Sequence, residues 1–226
     1  MNGLWTGNNA SNAKLEFLNA RQALVDAGID PQTIRDAALT QSYLRLEQPL
    51  TTTANLINFP VLNNQTGNSA AIRANEVRLN LQDAFYVAGI SIFLSVAADA
   101  TTDVMPLYSY PNPVAFALGG AAPAPLWTFY GGRYSIIVNG ITIVPKYPLL
   151  DFYESPETQL TAATNSPIDQ FAGAKRISLQ PNPVFIGQKS TNFSVEMNAN
   201  VSAVDPHTYI VIIAHGILAQ NVTIVS

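Results

Sequence analysis

Residues 133–145 read RYSIIVNGITIVP, two β-branched arms on either side of Asn139-Gly140. Asn-Gly supplies the two consecutive positive-φ positions of a type I′ turn, whose twist matches that of an antiparallel strand pair. A hairpin is therefore predicted here, and similar strand material extends outward from it in both directions. TNFSVEMNANVSA (191–203) alternates without a break. Phe193, Val195, Met197, Ala199 and Val201 fall on one face, and Asn192, Ser194, Glu196, Asn198 and Asn200 on the other. EVRLNLQ (76–82) alternates in the same way, with Val77, Leu79 and Leu81 together. AFYVAGISIFLSVA (84–97) and HTYIVIIAHGIL (207–218) are apolar on both faces, as expected of inner strands. With LINFPVL (56–62), LWTFY (126–130), LLDFY (149–153), RISLQPNPVFIG (176–187) and the closing NVTIV, the count reaches about nine to eleven strands between Asn-, Gly- and Pro-rich turns. No fixed repeat and no alternation of strand with helix is visible. The pattern predicts a mainly β protein, an antiparallel β-sandwich of jelly-roll kind.

The beginning of the chain has a different character. AKLEFLNARQALVDAG (13–28) sets Leu15, Leu18 and Val25 on one stripe at helical spacing, with Phe17 and Leu24 beside it. Gly28 is a helix stop suited to the left-handed conformation. Asp30-Pro31 then reads as an N-cap followed by proline at the first helical position. A second helix is predicted over PQTIRDAALTQSYLRLEQ, ending where Pro49 forbids continuation. The expected organisation is a helical N-terminal arm over residues 1–48 and a β-sandwich over 49–226.

Composition narrows the function. Of 226 residues 48% are hydrophobic and 12% charged, enough apolar material for a sizeable core. The net charge is −4, and the eleven Lys and Arg are scattered, with Lys175-Arg176 the one adjacent pair. That gives no electrostatic footprint for nucleic acid, and direct nucleic-acid binding is not expected. The absence of cysteine excludes disulfides, thiolate metal sites and thiol nucleophiles. No basic stretch followed by an apolar one opens the chain, so no signal peptide is visible. The longest uncharged apolar run, residues 84–98, is shorter than the roughly 20 residues a membrane-spanning helix requires, and the chain is not expected to span a membrane.

Candidates for chemistry are few. His207 and His215 are the two histidines, and in one strand they would stand about 27 Å apart, too far to share an ion. No G-x-S-x-G elbow accompanies them. Glu154 and Glu157 flank Pro156, and Asp99 and Asp103 share a turn, positions that loop solvation explains. Gly119-Gly120 and Gly131-Gly132 lack the following Lys-Ser/Thr pair of a phosphate-cradling loop. Trp127, Phe129, Tyr130 and Tyr134 cluster around the second of these, as a sugar-stacking platform or simply as the rim of a core. Sequons at Asn9, Asn64, Asn192, Asn200 and Asn221 reflect the Asn- and Ser/Thr-rich composition. No catalytic, cofactor or metal residues are assigned, and no enzyme activity is expected. Two proline-rich connections, 108–127 and 154–173, are long for loops in a compact domain, and the first is apolar as well, so it is expected to lie against another surface.

The helical arm, single sandwich, low charge, missing cysteine and abundance of Asn, Thr, Ala and Pro resemble viral coat proteins, most closely jelly-roll structural proteins of bacterial viruses. The chain departs from many small coat proteins in having no basic arm. Residues 50–226 also lack the long spine helix of tailed-phage capsids. The resemblance implies a virion structural protein, assembled in the host cytoplasm, that self-assembles into a capsid shell or related virion component. It implies copies of itself and other virion proteins as partners and no cofactor. The expected subunit contacts are Leu15, Phe17, Leu18, Leu24 and Val25 on the arm, with Val114 and Phe116 in the apolar loop. The alternative is a carbohydrate- or receptor-binding sandwich using the Trp127–Tyr134 aromatics.

Overall fold

The structure is a computed structural model that describes residues 7–61, 79–96, 107–112, 116, 124–154, 175–202 and 207–225, with side chains of the first helix described from Lys14 onward. Two antiparallel sheets face each other. The first carries β1 (Leu39–Pro49), β10 (Thr208–Ala219), β3 (Ala84–Val96) and β4 (Leu107–Tyr108) in that order, with β7 (Ile177–Ser178) and β8 (Val184–Ile186) also on β3. The second runs β2 (Leu56–Val61), β9 (Thr191–Glu196), β5 (Arg133–Val138), β6 (Ile141–Pro148).

Setting aside the two-residue strands β4 and β7, the eight others pair from the outside in: β1 with β10, β2 with β9, β3 with β8, β5 with β6. That nesting is a long hairpin rolled on itself, which is the jelly-roll arrangement. Its innermost point is Asn139-Gly140. The φ angles there are 50° and 78°, both positive, and Val138 pairs with Ile141 across the turn. Only two further pairings, β10 with β3 and β9 with β5, are needed to complete the sheets.

The core fills the space between the sheets. Leu44 and Leu46 of β1, Ile210, Ile212 and Ala214 of β10, and Phe85, Val87, Ile90, Ile92 and Leu94 of β3 meet Phe59, Phe193, Val195, Tyr134 and Ile136 from the second sheet. Phe185 and Phe193 cross between sheets edge to face, ring centres 5.5 Å apart. The inward set on β3 changes phase between Val87 and Ile90. A register shift opposite His215/Gly216 leaves Ala88 as an extra residue, so the side chains on either side of it swap faces. This bulge is part of why 84–97 reads as apolar on both faces. The other part is that the outer face is buried too: Tyr86 and Ala88 pack with Ala20 and Ile217, and Phe93 with Leu107, Tyr209 and Val211.

The N-terminal segment departs from expectation in one respect. Helix α1 (Gly7–Asp26) ends with Gly28 at φ 93°, and α2 (Pro31–Asp36) starts at Asp30, whose carboxylate accepts from the Gln32 N–H at 3.0 Å, as the caps predict. The second helix does not continue to Pro49. Ala37 turns extended, and residues 39–49 form β1, every one of them facing a partner in β10 from Leu39↔Ala219 to Pro49↔Tyr209. Pairing along eleven residues outweighs the modest helix propensity of this stretch. Leu44 and Leu46 point inward with Arg45 between them, the period of two of a strand. The boundary expected at 48/49 therefore falls inside a strand, and a cut there would strip β10 of its neighbour.

Smaller corrections share a cause. Residues 126–130 and 149–153, expected as strands, are helical turns: Ala124–Leu126 is a 3-10 turn leading into α3 (Trp127–Tyr130), and Leu149–Phe152 is another 3-10 turn. Pro125 lies within the first of them, where its fixed φ near −65° suits a helical turn, and Pro148, the last residue of β6, caps the second from an extended conformation. Leu79 is buried but Leu81 is exposed, since residues 79–83 turn and Asp83 N–H donates to the Asn80 carbonyl at 3.0 Å. Val77 lies outside the described residues. Ala199 is exposed because β9 ends at Glu196.

Gly140→Val forces positive φ on a β-branched residue, at a cost on the order of 1–2 kcal/mol. Because the turn is the tip of the whole roll, the melting temperature should fall accordingly. An unchanged melting temperature would show that the turn does not need its glycine.

Candidate functional site

The expected contact residues separate into two groups. Leu15 and Leu18 are exposed on α1, at 56% and 52%. Phe17 and Val25 are half-buried, and Leu24 is fully buried with Ile29, Ile34, Ala84 and Val222. The side of α1 that meets the sheet therefore carries Phe17, Ala20, Ala23 and Leu24 instead of the Leu15–Leu18 stripe. Small alanines let the helix approach the sheet closely, and the leucines are left outside. In the apolar loop, Phe116 is buried in the chain's own core, with its ring 5.2 Å from that of Tyr108. Tyr110 and Leu126 join it there. The surface that the described part of this loop lies against is thus its own sandwich. Leu24 and Phe116 are corrected from surface contacts to core. Val114 lies outside the described residues.

Three of the four aromatics near Gly131 are core as well: Phe129, Tyr130 and Tyr134 are all but inaccessible. Trp127 alone is exposed, at 48%, tilted against Tyr153 with ring centres 5.1 Å apart. Glu154 is tied down through its backbone, its carbonyl accepting from Ser109 Oγ at 2.7 Å. Glu157, Asp99, Asp103 and Gly119-Gly120 lie outside the described residues. Gly131-Gly132 leads into strand β5 and so cannot present a helix N-terminus to a phosphate.

The polar grouping with the most developed geometry lies on the outer face of the first sheet, under α1. His215 on β10 stands directly across from Gly89 on β3, and its Nε2 is 3.4 Å from Ser91 Oγ. Arg176, just before β7, lies on the bare backbone of Gly89. A Cβ at that position would come within 2.9 Å of the Arg176 Nε and 2.8 Å of the Ile177 carbonyl. The guanidinium reaches Glu16 of α1 at 3.3 Å. Glu16, Tyr43, Arg176 and His215 line one cleft of about 280 Å³. Burial, and then the Arg176 charge, push the His215 pKa below 6.5. Burial and Glu16 push the Tyr86 hydroxyl up, with Arg176 acting in the opposite sense.

Ser91 with His215 has the residue types of a nucleophile and base, but Ser91 is buried and the histidine's charged neighbour is a guanidinium. A cation there opposes the imidazolium a general base must become. Sequence reasoning set His215 aside and did not find Glu16, Ser91 or Arg176. They come from four separate elements, and the Lys175-Arg176 pair was the one local signal.

A second charged pair lies on β1. The Glu47 side chain is buried and its Oε1 meets the Arg45 guanidinium, in an ion contact without linear hydrogen-bond geometry. A wider groove of about 660 Å³ runs between α1 and the hairpin, lined by Ala23, Ala27, Val138, Ile141 and Val184 among others. Among the described residues no group of three or more His, Asp or Glu could hold a metal ion, and no helix is long and apolar enough to cross a membrane. No family model, curated protein or solved structure matches the chain.

Two stability outcomes follow from these placements. Phe116→Glu should destabilise the isolated protein by at least about 3 kcal/mol, since it removes a buried ring and buries a charge; urea unfolding would measure it. Arg45→Met removes the guanidinium that contacts the buried Glu47 carboxylate and should destabilise the protein by more than about 1 kcal/mol. A loss below 1 kcal/mol in thermal unfolding would mean that the pair is hydrated.

Proposed function

We propose that this chain is a structural protein of a virion, of the jelly-roll kind made by bacterial viruses, whose activity is assembly with copies of itself into a capsid shell or related component. The observation that carries the proposal is the combination of the nested eight-strand roll with α1, a helix that lies outside the sandwich and turns Leu15 and Leu18 to solvent. Leucines three apart on one helix are an apolar strip that a neighbouring subunit can cover. Low charge supports the proposal, because few ionic groups would need desolvation in a lattice of contacts. Other virion proteins are further partners on this view, assembly takes place in the host cytoplasm, and contact with nucleic acid is indirect.

A carbohydrate- or receptor-binding module remains the second reading, favoured by the half-exposed Trp127 packed on Tyr153. It is weaker than composition suggested, since Phe129, Tyr130 and Tyr134 are committed to the core.

Electron microscopy and sedimentation velocity of the full chain test assembly, with shells, rings or tubes expected. Leu15→Glu with Leu18→Glu should abolish those particles while the unfolding free energy stays within about 1 kcal/mol of the parent, the usual range for two exposed substitutions. A parent protein that remains a dispersed monomer would overturn the proposal. Particles that persist in the double variant would remove α1 from the contacts.

A further inference from the structure

We propose that the exposed side of α1 is a coiled-coil seam that pairs, parallel and in register, with the same helix of a second copy about a two-fold axis. The proposal rests on the assembly reading above for its partner and gives that contact a geometry. Leu15, Leu18, Gln22 and Val25 follow one another at steps of three, four and three, the spacing of heptad a and d positions. Leu15, Leu18 and Gln22 are exposed, and Val25 is half-buried at the end of the strip. With 3.6 residues per turn, the strip lies on the far side of the helix from Phe17, Ala20 and Leu24, which hold α1 on the body. A second helix therefore meets the strip without meeting the sandwich beneath it. The two sandwiches stand on opposite flanks of the pair, as an isologous contact requires.

Charge selects both the partner and its direction. With Leu15 at a and Leu18 at d, Lys14 and Arg21 occupy g positions and Asn19 and Asp26 occupy e positions, and all four are exposed. In a parallel pair the g residue of one helix faces the e residue five positions on in the other. Arg21 then meets Asp26 of the second copy on both flanks of the seam, and Lys14 meets Asn19. In an antiparallel pair g faces g, so Lys14 would stand against Arg21, cation against cation. Among the described residues Arg21 makes no ion pair within its own chain. Asp26 accepts from the Gln22 amide at 2.8 Å and keeps its second carboxylate oxygen for a cation.

Gln22 fixes the register. A polar residue at an a position is tolerated opposite its own copy and disfavoured opposite leucine, so pairings shifted along the seam are penalised. Two leucines from each helix bury less than the roughly 1,200 Å² at the lower end of stable interfaces. The pair is therefore weak alone and holds where the other contacts of an assembly act with it.

Because the chain has no cysteine, single cysteines report this geometry directly. Leu15→Cys and Gln22→Cys, each in the full chain under mild oxidation, should each give a disulfide-linked dimer, while Thr142→Cys, exposed on β6, should not. Only a parallel, in-register pair brings both positions within the roughly 7 Å between Cα atoms that a disulfide spans. An antiparallel pair does so at one position at most. Arg21→Glu should raise the concentration at which the chain associates by roughly ten-fold in sedimentation velocity, because two attractions become repulsions. Arg21→Glu with Asp26→Arg should return it to the parent's value. The substituted positions are exposed, so the variants should keep the parent's unfolding midpoint. The proposal is overturned by linking at only one seam position or at neither, by equal linking at Thr142, by tighter association of Arg21→Glu, or by no recovery in the charge swap. Linking at neither is the result expected if the strip seats in another copy's groove between α1 and the hairpin, or on a different protein. Particles without the cross-links would leave the virion reading standing and remove the helix pair. Linked dimers that form no larger particle would uphold the pair and end the virion reading.

Discussion

The pairing of each strand in the first half of the roll with its mirror in the second half is the constraint on which the rest of the structure depends. It begins at Asn139-Gly140 and ends with β1 lying along the full length of β10. Antiparallel pairing fixes register to the residue, and a slip of one would exchange the buried and exposed faces of a whole strand. β10, flanked by β1 and β3, shows how this works: Ile210, Ile212 and Ala214 are inward only because both neighbours agree on the register. The bulge at Ala88 shifts the register between β10 and β3. There it turns Tyr86 and Ala88 toward α1 while Ile90 onward returns to the core.

Most partners in such a roll are far apart in sequence, so loop closure must precede many of the contacts that stabilise it. The Asn-Gly hairpin is the exception, a local nucleus at the centre of the nesting. The outermost pair, β1 with β10, is the most distant in sequence, and yet it supplies both Leu44 and Leu46 to the core.

The outer face of the first sheet has an unusual character for a sandwich exterior. It is covered by α1 at one end and buried around Phe93 and Val211 at the other, with Ser91, His215, Arg176 and Arg45–Glu47 between. Polar groups in such a layer need partners, and they find them across elements: carboxylate with guanidinium, hydroxyl with imidazole. That accounts for a histidine inside a strand whose other residues, TYIVIIA before it and GILA after it, are largely aliphatic.

By itself the sequence determined the mainly β class, the hairpin, the inner strands β3 and β10, the alternation of Phe193, Val195 and Met197, and the caps at Gly28 and Asp30. Each of these is a local pattern, in which period two, a positive-φ residue or a missing N–H acts over a few residues. Tertiary structure alone decided that residues 39–49 are a strand, because their partner is β10, more than a hundred and fifty positions away. It also decided that Phe116 and Tyr130 belong to the core and Leu15 and Leu18 to the surface, since the apolar content of a side chain does not say which neighbour covers it. The Glu16–Arg176–His215 cluster was illegible for the same reason. Its members are contributed by a helix, a short strand's approach and a central strand, and only the rolled pairing and the gap at Gly89 bring them together.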